Sequence, residues 1–385
     1  MPDTQKCFVF MPYLNMGDCP EVDFGFLKLS NFDLQKDVQV KDVALKTRIV
    51  KILEAYQRNN HPIKRFGVLY FGSGRINSLS PDKFKEFDTA KLILFISYLA
   101  EHNTVFKNGN TMHAMATADN FGIVFQNTDL SSDYTAEHSG VILPHAVGGF
   151  KIGEVRYSIP TQIPSMSGRL SIHKELFESL LALRTKKPRV FEKVINAVGV
   201  FFESYYNVES LSKNARVLLQ MSAFEILLEL DPTNISERND FKDKIEKYTT
   251  TSEDKKISYF FETKGGKKRR DRRTLKGIWA DRFYTLRNHI IHGLTPPPDD
   301  FIFQNRQSHT DIALLFLIVC MEKIIQSSLK ISFKHEHEIQ WKKWHDENFI
   351  QDREEFTCEI SFRRLWNKML KSRLKIKNRK VSNKA

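Results

Sequence analysis

The sequence predicts an α+β protein: a mixed α/β-strand N-terminal domain over residues 1–165, then an all-α four-helix bundle over 185–330. Two observations predict it. Short aromatic runs bounded by Gly, Asn and Asp fill the first part and read as strands. From about residue 172 the apolar residues recur at helical spacing instead. The length of 385 residues, 41% hydrophobic with 30 Phe, suits two domains and a sizeable core.

In the first part, "KCFVFMPYL", "FGVLYFG", "NFGIVFQN" and "GEVRYSI" are the candidate strands. Two helices interrupt them. "DVALKTRIVKILEAYQRN" has an apolar face, and "SPDKFKEFDTAKLILFISYLAEHN" offers Ser80 as N-cap and Pro81 at the first helical position. A linker is expected over 166–184, entered from the Pro- and Ser-rich "RYSIPTQIPSMSGRLS".

The bundle's first helix, "KPRVFEKVINAVGVFFESYYN", repeats Phe191, Val194, Ile195, Val198, Phe202 and Tyr205. The second, "LSKNARVLLQMSAFEILLEL", aligns Val217, Leu218, Met221, Phe224 and Leu228, and stops at Asp231-Pro232. A polar and basic insertion, 231–276, separates it from the third. That helix starts near 275 and lines up Trp279, Phe283, Leu286 and Ile290, a narrow stripe that leaves its other faces free. The fourth, "HTDIALLFLIVCMEKIIQSSLK", is apolar nearly all round at its start, as a buried helix should be. Residues 331–385 form a C-terminal extension with a basic tail.

No basic-then-apolar leader opens the chain, and the apolar run Ile312–Met321 is about half a bilayer span, so no transmembrane segment is expected. Cys7, Cys19, Cys320 and Cys358 are far apart without a C-x-x-C pair, which suits a reduced, cytoplasmic compartment. The net charge of +13 is concentrated. Lys264–Lys276 holds eight Lys or Arg against one Asp, and Ser361–Ala385 holds ten against none. Together they carry +17, so the remainder is about −4. This is the footprint of a nucleic-acid binder, with Lys267, Lys268, Arg269, Arg270, Arg272 and Arg273 as the candidate contacts. A solvated loop and tail is the plainer alternative.

"YTLRNHIIHGLTPPP", residues 284–298, ends the third helix with an arginine, an asparagine and two histidines, then Gly293 and three prolines. Asn288 and His292, four apart, share a face at about 40°, whereas Arg287 and His292, five apart, are about 140° apart. One helix cannot aim both at one atom. A site using both needs the last turn to loosen, or a second copy of the helix facing the first across a two-fold axis.

The string Arg287-Asn288-His289-Ile290-Ile291-His292 resembles the R-x4-H motif of the HEPN superfamily. With "SAFEILLEL" on an earlier helix, it looks like the Apea-like HEPN branch. The resemblance covers roughly residues 185–330. It implies an HEPN-type four-helix bundle and a metal-independent endoribonuclease, often a prokaryotic anti-phage defence or toxin effector; some members are inactive scaffolds or binding modules. It also implies that Glu225, the acid of "SAFEILLEL", supports the site.

RNA can be cut without metal or cofactor when its own 2′-OH attacks the neighbouring phosphorus. The step needs a base, an acid for the leaving oxygen and positive charge beside the phosphate. Histidine serves as base or acid near neutral pH, and arginine forks onto two phosphate oxygens. Arg287, His292 and Asn288 are therefore the candidate catalytic residues, with Glu225 and His289 supporting. A homodimer would bring two His292 side chains to one cleft. Plainer readings stand beside these: Arg287 as an ion-pair partner of Glu225, His292 as a cap on helix carbonyls, His289 as structural, Tyr284 as packed rather than stacked on a base. Leu294 stands where HEPN toxins paired with a nucleotidyltransferase antitoxin carry the modified tyrosine, so control by that route is doubtful.

Other signals are weaker. "HEHE", His335–Glu338, with His345, reads better as alternating charge on an edge strand than as metal ligands. "FGSGR", Phe71–Arg75, lacks a G-K-[ST] ending and reads as a turn. The tail's Arg364, Lys368, Lys371 and Lys375 would suit RNA, an acidic membrane surface or plain solvation. The expectation is thus a cytoplasmic, homodimeric RNA-cutting protein, possible tRNA targets included, restrained until a phage-derived trigger or partner protein acts through the N-terminal domain. The alternative is a non-catalytic RNA- or nucleotide-binding dimerisation module.

Overall fold

The computed structural model describes residues 5–33, 47, 50, 56–58, 61–72, 77–79, 81–102, 117–127, 137–138, 169–206, 211–230, 237–250, 254–262, 268–303, 308–333 and 355–356. It is an α+β chain with seven α-helices and antiparallel sheet among these residues. Two compact units are formed, Met1–Glu229 with Ala313–Gln340, and Leu230–Ile312 with Trp341–Ala385. The divisions fall at Leu230 and within the last helix, inside the 185–330 span expected for a bundle.

The first unit is built on a seven-stranded sheet in the order β2-β3-β6-β1-β8-β9, with β7 also pairing β1. The strands are β1 Gln5–Met11, β2 Glu21–Asp23, β3 Lys28–Asp33, β6 Arg65–Tyr70, β7 Asn77–Leu79, β8 Val124–Asn127 and β9 Glu137–His138; β4 Gln57–Arg58 and β5 His61–Pro62 form a separate ribbon. Every pair in the large sheet is antiparallel. In β1, Val9, Phe10 and Met11 are all buried, so this strand is covered on both faces and reads as an unbroken apolar run. One face carries an aromatic cluster in which Phe10 meets Tyr56 and Phe66 edge-on, at 5.2 and 6.0 Å.

Helix α1, Pro81–His102, is buried continuously from Ile93 to Ala100. A helix apolar all round needs partners on every side. Phe95 packs edge-on against Phe202 at 4.8 Å, and Glu86 accepts from Arg184 at 2.7 and 2.8 Å. Helix α2 (Lys174–Lys186) occupies most of the stretch expected to be a linker over 166–184. Its stripe Leu176, Leu180 and Leu183 is buried, and the N-cap His173 accepts the Leu176 N–H. Helices α3 (Pro188–Glu203) and α4 (Lys213–Leu228) form where the apolar spacing predicts them, and the Ser212 side chain caps α4. The four helices thus belong with the sheet in one unit.

In the second unit, the stretch 231–276, expected as a polar and basic insertion between helices, holds regular structure of its own. Helix α5 (Glu237–Thr249) is followed by an antiparallel hairpin, β10 Ile257–Glu262 and β11 Lys268–Arg273. The short β12, Glu355–Phe356, runs parallel to β10 on its other side. Helix α6 (Leu275–Ile291) follows directly, its N-cap Thr274 accepting from the Gly277 N–H. Trp279 and Phe283 stack at 5.0 Å and the His309 ring lies against Phe283 at 5.9 Å. Helix α7, His309–Leu329, is long and apolar enough by composition to cross a membrane, and most of it is buried within the fold. The predicted helix 42–59 lies largely outside the described residues, and "GEVRYSI", "HEHE" and the 361–385 tail lie wholly outside them.

Candidate functional site

Helix α6 carries the R-x4-H string on its last turn. The anchor is at the other end. Glu246 of α5 accepts from the Thr274 N–H and hydroxyl at 2.8 and 2.9 Å, satisfying groups at the helix start. Gly277 makes this approach possible, since a Cβ there would sit 2.6 Å from the Glu246 carboxylate. Arg273 then joins Glu246 at 2.9 Å, Asp271 at 3.2 Å and Asp243.

The faces of α6 outside its aromatic stripe were expected to be free. They are not. Lys276 and Asp281 are buried, and each is paired. The Lys276 ammonium donates to the Thr249 carbonyl at 2.6 Å and to Asp254 at 2.8 Å. Asp281 receives Arg238 as a two-pronged pair at 2.6 and 2.7 Å, with Lys242 at 3.3 Å. Burial works against the charge on Arg238, but Asp281 outweighs it and raises the guanidinium's pKa. One turn on, the Tyr284 hydroxyl donates to Glu237 at 2.7 Å, so Tyr284 is packed.

The helix closes on Gly293 in the left-handed region, φ +72°. The Gly293 N–H bonds to the Ile290 carbonyl and the Leu294 N–H to the His289 carbonyl, at 3.0 and 2.9 Å. This is a Schellman closure, with the His292 N–H taking the Asn288 carbonyl at 3.0 Å. The Asn288, His289 and Ile290 carbonyls are therefore occupied by backbone. The capping role considered for the His292 imidazole is not needed, and among the described residues that imidazole makes no hydrogen bond.

Arg287 and Asn288 are brought together: the guanidinium donates to Asn288 Oδ1 at 3.0 Å and lies 5.5 Å from the Tyr284 ring centre. Both are half-buried, and His292, the C-cap, is exposed. His289 is turned inward, 1% exposed; burial, then the charge of Arg238 and the neighbouring His292, lowers its pKa and keeps it neutral. It is a structural group rather than one that touches RNA. Glu225 is half-buried on α4 in the first unit, whereas Arg287 belongs to the second.

The candidate phosphate contacts separate by exposure. Arg269, Arg270 and Arg272 are exposed, and among the described residues their side chains form no ion pair. Arg273 is instead a structural cation, tied to three carboxylates. Burial opposes the charge on Asp271, but hydrogen bonds from Arg273 and the Arg272 amide, with Lys242 near, hold its carboxyl below the usual value. Lys268 lies on β11, and Lys267 falls outside the described residues. Sequence reasoning missed Phe260, 45% exposed on β10, and the Arg238–Asp281 pair. A signal existed for the hairpin: Asp271, alone among five basic residues of "KRRDRR", marks the inward face.

Among the described residues no group of His, Cys, Asp and Glu is arranged to hold a metal ion. Comparison with protein-family models, curated proteins and solved structures finds no match to this chain.

Proposed function

We propose that the protein is an HEPN-type, metal-independent endoribonuclease acting as a homodimer, with Arg287, Asn288 and His292 as its catalytic residues. One observation carries the reading. The Asn288, His289 and Ile290 carbonyls at the α6 terminus are taken by backbone N–H groups, so the exposed His292 imidazole, at the same helix end as the Arg287–Asn288 pair, has no capping duty. Arg287 is held for a phosphate: the Tyr284 ring supports it and Asn288 orients it. His292 supplies or takes the proton, and the second copy's His292 has the complementary protonation state. The 2′-OH attacks phosphorus, the P–O5′ bond breaks, and a 2′,3′-cyclic phosphate and a free 5′-OH result. The HEPN resemblance extends this to a restrained effector of prokaryotic defence, with an abundant RNA such as tRNA as target.

Purified protein is incubated with total RNA in excess chelator, beside Arg287→Ala and His292→Ala. Cleavage by the unaltered chain, reduced about 10²–10⁴-fold in His292→Ala, is expected. Undiminished cleavage by His292→Ala would dispose of the proposal. The second reading is a non-catalytic RNA-binding module, favoured by the exposed Arg269, Arg270 and Arg272 on the hairpin. It predicts binding without cleavage by every version.

A further inference from the structure

The outer face of the β10–β11 hairpin sets an aromatic ring beside two exposed cations. The register places Phe260 directly opposite Arg270, and Ser258 opposite Arg272, on the same face. Directly opposed side chains lie about 5 Å apart at Cβ, and alternate residues along a strand are about 7 Å apart. Phe260, Arg270 and Arg272 are all exposed, and among the described residues neither guanidinium has an ion-pair partner. The opposite face holds the buried Tyr259 and the ion-paired Asp271 and Arg273. Protection of a sheet edge accounts for charge on β11, the outer strand of the order β11-β10-β12. It does not account for a phenylalanine facing solvent on the central strand.

We infer that this face is a platform for single-stranded RNA, on which Phe260 stacks against a base while Arg270 and Arg272 take the flanking phosphates. The ring selects for an unpaired strand, because bases inside a duplex present no free face. The two cations, close together on one face, repel each other, and a polyanion relieves that repulsion. An acidic protein surface would use the charges but not the ring. Naming the ligand RNA rests on the ribonuclease reading; the platform itself needs no cleavage.

The full-length His292→Ala chain, in excess chelator, is titrated by fluorescence anisotropy with a labelled oligoadenylate roughly ten nucleotides long. Its duplex with the complementary strand is titrated in parallel. Adding Phe260→Ala is expected to weaken single-strand binding about tenfold while leaving duplex binding and the salt dependence unchanged. Phe260→Tyr restores the affinity, which separates stacking from misfolding. Replacing Arg270 and Arg272 by Ala lowers the slope of log affinity against log salt by about 1.4, at about 0.7 per phosphate. Single-strand affinity unchanged by Phe260→Ala, or an equal loss for strand and duplex, overturns the inference. Cleavage by the unaltered chain is scored separately, so a failed platform and a failed nuclease give different results.

Discussion

His309 is the clearest case of one residue whose chemistry is set by its surroundings. Its ring lies among Trp279, Phe283 and Phe303, fully enclosed, and burial pushes its pKa down to about 3, with the Arg282 charge adding to the shift. The unfolded chain, with an ordinary histidine near 6.5, binds the proton more readily. Stability from this group is therefore complete above about pH 6.5 and is lost as pH falls from there toward 3, by up to about 1.4 kcal/mol per pH unit. His309→Phe should flatten that dependence, read as the difference in urea midpoint between pH 5 and 7.5. An unchanged pH dependence would show that the ring is not the acid-sensitive group. At the motif, Arg287→Lys keeps the charge but loses the planar contact with Tyr284 and the fixed bond to Asn288. Cleavage should fall at least tenfold, with the thermal midpoint unchanged. The sequence singled out Arg287, Asn288 and His292 by residue type, and the structure sets all three at the end of α6. The inward turn of His289 was not legible in the sequence, since the stripe of Trp279, Phe283, Leu286 and Ile290 omits it. Its burial comes from contacts distant in sequence.

At the scale of the element, α6 is a helix fixed at both ends. Thr274 and Glu246 close its start, and Gly293 closes its end with a backbone conformation that L side chains adopt at a cost. Nothing stands within 4 Å of a Cβ at Gly293, so the cost of Gly293→Ala is conformational, about 1–2 kcal/mol. Chemical denaturation measures that loss; cleavage should drop further than stability does, because His292 shares the altered turn. The interior pair makes a sharper test. Asp281→Ala leaves Lys242, 1% exposed, and Arg238 without their shared carboxylate, and should destabilise the second unit by about 3–5 kcal/mol. A loss under 1 kcal/mol would mean that water reaches these cations. The predicted α1, α3, α4, α6 and α7 all form, because apolar spacing states a helix directly. The hairpin was hidden for a physical reason. The β11 run "KRRDRR" contains no apolar residue, and its strand depends on the ladder to β10 and on ion pairs with α5.

For the whole molecule, which elements share a core is decided by contacts far apart in sequence, and composition does not report them. The expected boundary near 165 follows the shift from strand-like to helical spacing, yet α2, α3 and α4 join the sheet in one unit. The all-round burial of α1 is what requires them there. The second unit then bears on stoichiometry. Phosphoryl transfer from the 5′ oxygen to the 2′-OH needs both a base and an acid. Among the described residues of that unit, His289 and His309 are buried and held neutral, so His292 is the one exposed imidazole. On the proposed ribonuclease reading, this imidazole is half of the required pair, and the same group of a second copy, related by a two-fold axis, is the other half. Specific activity should then fall on dilution in proportion to the dimer fraction measured by sedimentation. The pH profile of cleavage should be bell-shaped, since one imidazole must be neutral while its mate is protonated. Constant specific activity at concentrations where sedimentation finds only monomer would remove the composite site, and with it the need for His292 to act twice.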